Sequence, residues 1–107
     1  MSDRELLEFA AKAAGIGGGW QFVRGRDTPI FYRDVGGRVW NPITDDGDAL
    51  RLAVKLRIDV HYDHFVVVAE RVFPQEVGVA KAFDGDPLAA TRRAIVRAAA
   101  EIGRQMP

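Results

Sequence analysis

Three segments of the chain carry apolar residues at helical intervals behind a helix-capping residue, and this pattern leaves room for strands only in the two gaps between them. The first segment predicts a helix from Asp3 to Ala14. Ser2 and Glu5 have the spacing of a capping box, and Gly15 supplies the left-handed conformation at which helices commonly end. The chain is therefore expected to begin with a helix.

The middle segment predicts a second helix with Thr44 as its cap. Carboxylates in the first turn suit the positive end of the helix dipole; they are Asp45, Asp46 and Asp48. The apolar residues fill a wide arc of the helical wheel, opposite Arg51 and Lys55. This arc comprises Ala49, Leu50, Leu52, Ala53, Val54 and Leu56. We expect this helix to lie on the core.

The last segment has the strongest start signal. Asp86 caps it, and Pro87 occupies the first helical position, where a missing N–H donor costs nothing. We expect a helix from Pro87 to about Ile102, ended by Gly103. Its apolar side is expected to face the core; it comprises Leu88, Thr91, Ile95, Ala98, Ala99 and Ile102.

The first gap predicts a β-hairpin. The stretches from Trp20 to Val23 and from Ile30 to Val35 are rich in aromatic and β-branched residues, and the residues between them have turn chemistry. Before the hairpin, the glycines from Gly17 to Gly19 are expected to form a flexible connection that belongs to no regular element.

The second gap predicts three strands. Apolar residues alternate with polar ones from Ile58 to Asp63, which is typical of a strand with one wet face. The unbroken apolar run from Phe65 to Ala69 is expected to be the central strand, buried on both sides, and Val77 to Phe83 the third. The sequence thus predicts a single α+β domain over residues 1–107, in the order α-β-β-α-β-β-β-α, with helices packed on an antiparallel sheet.

Composition and charge exclude several classes of protein. Lys and Arg total 15 and Asp and Glu total 15, so no net charge draws the chain to nucleic acid or anionic lipid. The absence of cysteine removes disulfides and thiolate ligands and favours a reducing compartment. An acidic N-terminal stretch, and the lack of an apolar run of about 20 residues, predict a protein that is soluble, without an export signal and outside the membrane. The cytoplasm is the expected location.

Two groups of polar residues have the composition of metal sites. The run Asp45-Asp46-Gly47-Asp48 resembles a calcium loop, but the glutamate that closes such loops is missing, and helix capping explains the carboxylates better. His61 and His64, with Asp59 and Asp63, have side chains that can bind zinc or serve acid–base catalysis. Because alternate residues of a strand point to opposite faces, a polar turn is the favoured interpretation. We therefore predict no cofactor, no metal and no catalytic set.

Six residues are candidates for binding a partner: Trp20, Trp40, Arg92, Arg93, Arg97 and Arg104. Three of the arginines form a stripe on the last helix that can neutralise phosphates or an acidic protein surface, and a solvated helix back is the alternative. Arg92 borders the apolar face, where we expect it to extend to solvent or to pair with an acid. The tryptophans flank the hairpin and are either core residues or, where exposed, anchors for a partner.

The segment from Trp40 to Ala53, with the pattern W-N-P-x-x-D-D-G-D-A-L-R-L-A, resembles the signature of a family of small phage and prophage proteins to which no activity is assigned. The stretches from Leu6 to Ile16 and from Asp86 to Ala98 are similar to the two ends of that family. The resemblance implies a phage origin and carries over no catalytic residue. It does not extend to Trp20–Arg38 or to Asp59–Phe83, where partner specificity is expected.

These observations together favour a non-enzymatic protein-binding module, encoded by a phage or prophage, that inhibits a host or defence component in the cytoplasm of the bacterial host. The partner is expected to be a host or phage protein. The alternative is a nucleic-acid-binding accessory protein that uses the Arg-rich face of the last helix. A metal-dependent enzyme that uses Asp59 and His61 is a third and weaker hypothesis.

Overall fold

The computed structural model describes residues 1–107 and contains eight elements in the predicted order. The helices are α1 (Asp3–Ala14), α2 (Asp46–Leu56) and α3 (Pro87–Gln105). The strands are β1 (Gly18–Gln21), β2 (Ile30–Arg33), β3 (Asp59–Tyr62), β4 (Val66–Arg71) and β5 (Val77–Ala82). The predicted α+β class and element order are confirmed. None of the three helices has the length and apolar character needed to cross a lipid bilayer.

The strands form two separate antiparallel sheets. β1 pairs only with β2, whereas β3, β4 and β5 form a meander with β4 in the centre. α3 packs across the meander, and both α1 and α2 pack against α3. β4 alternates between buried residues and half-buried ones, so it is central as predicted but fully buried on one face only. The core therefore lies between the meander and the helices.

The helix starts agree with their local signals at two of three positions. Ser2 forms a capping box with Glu5, and Asp86 accepts the N–H of Ala89 at 3.0 Å. The predicted cap Thr44 is wrong, because the N-cap of α2 is Asp45. The Asp45 carboxylate accepts the N–H of Asp48 at 2.8 Å. An aspartate one residue further along is an equally good cap, and the position of the turn selects it.

Gly103 lies inside α3, so the prediction that it ends the helix is wrong. A methyl group at this position would overlap the backbone carbonyl oxygen of Phe9 in α1. Small residues are frequent among the buried positions of both helices: the buried alanines are Ala10, Ala11 and Ala14 of α1 and Ala90, Ala94, Ala98, Ala99 and Ala100 of α3. Glycine is required here because the two helices approach closely, and that requirement overrides its tendency to end helices.

Gly18 and Gly19 belong to β1, so the prediction that they lie outside any regular element is wrong. They pair with Arg33 and Tyr32 of β2. A side chain at Gly18 would overlap the carbonyl oxygen of Tyr32 and the ring of Phe31. Glycine is therefore a packing requirement in this hairpin rather than a signal for flexibility.

Candidate functional site

The segment from Trp40 to Asp48 is held by internal hydrogen bonds. The Asn41 N–H donates to Oδ2 of Asp48 at 3.0 Å, and Oδ1 of Asn41 accepts the N–H of Ile43 at 3.0 Å. The second carboxylate oxygen of Asp48 accepts a hydrogen bond of 2.8 Å from Arg51. These polar groups satisfy one another, so the fold itself accounts for their presence.

The two candidate tryptophans differ in exposure. Trp40 is 3% exposed, and its ring lies edge-on to Phe31 with the centroids 5.7 Å apart. Trp20 is half-buried, packs against Phe31 at 5.3 Å, and lies under the Arg4 guanidinium, 4.9 Å from the ring centroid. Trp40 is thus a core residue, and only Trp20 retains surface that a partner can reach.

Arg92 connects α3 to the start of α2. Its Nε donates to the carbonyl oxygen of Ile43 at 2.8 Å, and its Nη1 lies 2.7 Å from Oδ1 of Asp46. The side chain is only 19% exposed. Arg92 therefore pairs with an acid, and it positions α2 against α3 instead of projecting into solvent.

The arginine stripe of α3 is largely neutralised within the molecule. Arg93 makes two hydrogen bonds to Asp3, of 3.1 and 3.3 Å. Arg104 pairs with Glu101, and this hydrogen bond lowers the pKa of Glu101 and raises that of Arg104. Arg97 is exposed and has no carboxylate within ion-pair distance. Of the three arginines that the sequence placed in the stripe, only Arg97 is therefore without an ion pair.

The polar residues at β3 do not form a metal site. Nε2 of His61 lies 3.0 Å from Oε1 of Glu70 across the strand pair. The Asp63 carboxylate accepts the N–H of His64 at 2.7 Å in the following turn. No group of three His, Asp or Glu side chains in the chain is arranged to hold an ion. The arrangement is that of a wet strand face that ends in a polar turn.

A groove of about 980 Å³ forms a concave surface that the sequence did not predict. It lies between α2 and α3 and is also lined by β3; we call it the α2–α3 groove. Leu50 and Val54 of α2 are 64% and 67% exposed, and Leu88 of α3 is 64% exposed. Large apolar side chains therefore border a space that the protein itself does not fill.

Tyr62 crosses from β3 to α3 within this groove. Its hydroxyl lies 3.1 Å from the hydroxyl of Thr91, which itself donates to the carbonyl oxygen of Pro87 at 2.7 Å. A threonine hydroxyl has one hydrogen, so Tyr62 is the donor in the first of these bonds. Tyr62 as a whole remains 58% exposed. The ring of Tyr62 is held by the β3 backbone at one end and by the hydrogen bond of its hydroxyl at the other.

The predicted burial of Leu50, Val54 and Leu88 is wrong. α3 covers only part of the apolar arc of α2, and the buried residues of that arc are Ala49, Leu52, Ala53 and Leu56. The sequence did contain a signal for the groove, namely an apolar arc wider than one neighbouring helix covers.

Charged residues lie at both ends of the α2–α3 groove. The ion pair between Asp46 and Arg92 closes the end near the start of α2. Lys55, Arg57 and Asp59 line the other end, and none of them forms an ion pair within the chain. The groove thus has an apolar centre between two charged ends.

No protein-family model, curated protein or solved structure matches the chain. What the fold and the groove define is an α+β domain with an open apolar surface beside the edge of a sheet.

Proposed function

We propose that the chain is a non-enzymatic protein-binding module that holds an apolar segment of its partner in the α2–α3 groove. The observation that carries this proposal is the exposure of Leu50, Val54 and Leu88 around one concave surface. Apolar surface that is contiguous, concave and exposed marks a binding site more often than scattered single residues do. The polar candidates, in contrast, are mostly satisfied by groups within the chain.

The proposed partner is a host or phage protein, such as a defence component that the module inhibits by occupying its surface. The resemblance of the segment from Trp40 to Ala53 to phage proteins supports this choice. It also supports action in the cytoplasm of a bacterial host. The groove includes Asp59, Val60 and Tyr62, which lie in a stretch outside that resemblance and suit a partner particular to this chain.

Nucleic-acid binding by the last helix is less well supported by the geometry. Arg93 and Arg104 are neutralised by Asp3 and Glu101, which leaves Arg97 as the unpaired cation of the stripe. Affinity for nucleic acid depends on how many phosphates are neutralised, so one free arginine contributes little.

The test is a selection of random peptides on the wild-type protein, followed by calorimetric titration of the recovered peptides against variants. Leu50→Asp places a charge in the groove and should weaken binding more than tenfold, which corresponds to about 1.4 kcal/mol. Val35→Asp is the matched control, since Val35 is also exposed but lies outside the groove. Circular dichroism checks that both variants fold.

Recovery of peptides that bind both variants equally would show that the groove is not the binding site. Failure to recover any peptide above background would count equally against the proposal.

A further inference from the structure

The α2–α3 groove is lined by a strand whose outer edge has no partner. β3 pairs with β4 only. The Asp63 N–H donates to the carbonyl oxygen of Val66 at 2.9 Å, and hydrogen-bonded pairs alternate along an antiparallel ladder. Val60 and Tyr62 therefore direct their N–H and C=O groups away from β4. The N–H and C=O groups of Val60 and Tyr62 also form no hydrogen bond with the backbone of any loop or turn.

The two faces of β3 have different chemistry. Val60 and Tyr62 line the groove, and His61 lies opposite Val68 on the other face. Asp59 and Asp63 have the same parity as His61 along the chain, and Asp59, the first residue of β3, also contributes to the lining at the end of the groove. A strand added beside β3 would thus meet an apolar space on one face and two carboxylates on the other.

These carboxylates oppose pairing of β3 with β3 of a second copy. In the antiparallel register centred on His61, Asp59 of one copy would lie opposite Asp63 of the other. Like charges that lie directly opposite one another destabilise a strand pair. A basic partner has the complementary charge and receives a favourable cross-strand contact instead.

We propose that the partner segment is an extended peptide, with apolar residues alternating with Lys or Arg, which adds to β3 as a fourth strand of the meander. Its apolar side chains enter the α2–α3 groove beside Leu50 and Val54, and its cations lie beside Asp59 and Asp63. Its backbone bonds to the free groups of Val60 and Tyr62, as in other cases of strand addition. This inference rests on the proposed function, because the groove must accept the apolar side chains.

The probe is a nine-residue peptide of alternating valine and lysine, blocked at both termini. Titration followed by NMR should shift the amide signals of Val60 and Tyr62 and slow their hydrogen exchange at least tenfold. A peptide methylated on its valine nitrogens cannot donate to β3 and should bind more than tenfold more weakly. A peptide in which glutamate replaces lysine should bind more than tenfold more weakly as well, because it places carboxylates beside Asp59 and Asp63.

The charge contribution is tested with the double variant Asp59→Asn and Asp63→Asn. It should weaken binding of the valine–lysine peptide at least fivefold and remove most of its dependence on salt. Asp27→Asn is the matched control, because Asp27 is exposed and forms no ion pair.

The inference is overturned if the valine–lysine peptide does not bind at millimolar concentration, if methylation of its backbone has no effect, or if the glutamate peptide binds equally well. Protection of Val60 and Tyr62 that grows with protein concentration alone would assign the edge to a second copy and would also overturn it. Peptides from the random selection separate the two proposals. If their binding depends on Leu50 but tolerates backbone methylation, strand addition is wrong and groove binding stands.

Discussion

α3 packs against two helices in different ways. Towards α1, Gly103 lies against the backbone of Phe9, and most of the buried residues of α3 are alanines, so the contact is closed. Towards α2 its contact leaves Leu50 and Leu88 exposed along an open groove. The comparison teaches that apolar residues alone do not bury a helix face. Two helices form a closed contact where their side chains are small enough for the backbones to approach. Larger side chains at the margin of a helix contact stay exposed.

The closed contact is tested most severely at Gly103. Gly103→Val places a branched side chain against the backbone carbonyl of Phe9 and should lower the free energy of unfolding by more than about 3 kcal/mol, measured by urea denaturation. Gly78→Val is the control, because Gly78 lies on β5 with open space around it and should tolerate the change. A loss below about 1 kcal/mol at Gly103 would mean that α1 shifts without cost.

Two leucines of α2 allow a comparison between its buried side and the side that borders the open groove. Leu52 is fully buried, so Leu52→Ala should lower the free energy of unfolding by about 3 kcal/mol. Leu50 is 64% exposed, so Leu50→Ala should change it by less than about 0.5 kcal/mol. Thermal and urea unfolding measure both. Equal losses would show that the groove is closed in solution.

Arg92 tests what holds α2 in place while the groove remains open. Arg92→Met keeps most of the apolar stem but removes the bonds to Asp46 and to the carbonyl of Ile43. We expect a loss of about 1.5 kcal/mol in the free energy of unfolding. Arg97→Met, on the same helix without an ion-pair partner, should have almost no effect. A similar loss from both changes would assign the effect to the arginine stems rather than to the bonds.

The smallest expected effect is the pH dependence contributed by Glu101 of α3. Hydrogen bonds from Arg104 and Gln105 lower its pKa in the folded chain below the ordinary value of 4.5. Its stabilising contribution is therefore complete above that value and is lost as the pH falls through the lower, folded pKa. The difference in free energy of unfolding between wild type and Glu101→Gln should thus shrink on acidification. A difference that grows in acid would contradict this assignment.

The features that the sequence predicted well are local. Ser2 with Glu5, and Asp86 with Pro87, define helix starts through contacts a few residues apart, and both starts are confirmed. The caps and the helical spacing place the elements without knowledge of their neighbours. Together with the β-branched and alternating stretches that predicted the five strands, they give the order of the eight elements.

The features that the sequence missed depend on what packs beside a residue. Leu50 and Leu52 both belong to the wide apolar arc of the α2 helical wheel, and the arc alone does not show which of its residues the rest of the fold covers. Gly103 carries a helix-ending signal that the approach of α1 overrides. In the arginine stripe, Asp3 comes to Arg93 from the opposite end of the chain. The helical spacing of apolar residues predicts neither the groove nor the ion pair between Asp3 and Arg93.

The separate hairpin has a consequence for how this fold diverges. β1 and β2 share no ladder with the meander, and Phe31, with half-buried Trp20, provides their aromatic contact with the core. Residues 22–29 between the two strands are mostly exposed. Length changes in such a connection leave the ladder and the helices untouched. We therefore expect related sequences to differ in the length and residues of the connection 22–29, and to keep a small residue at the position of Gly103.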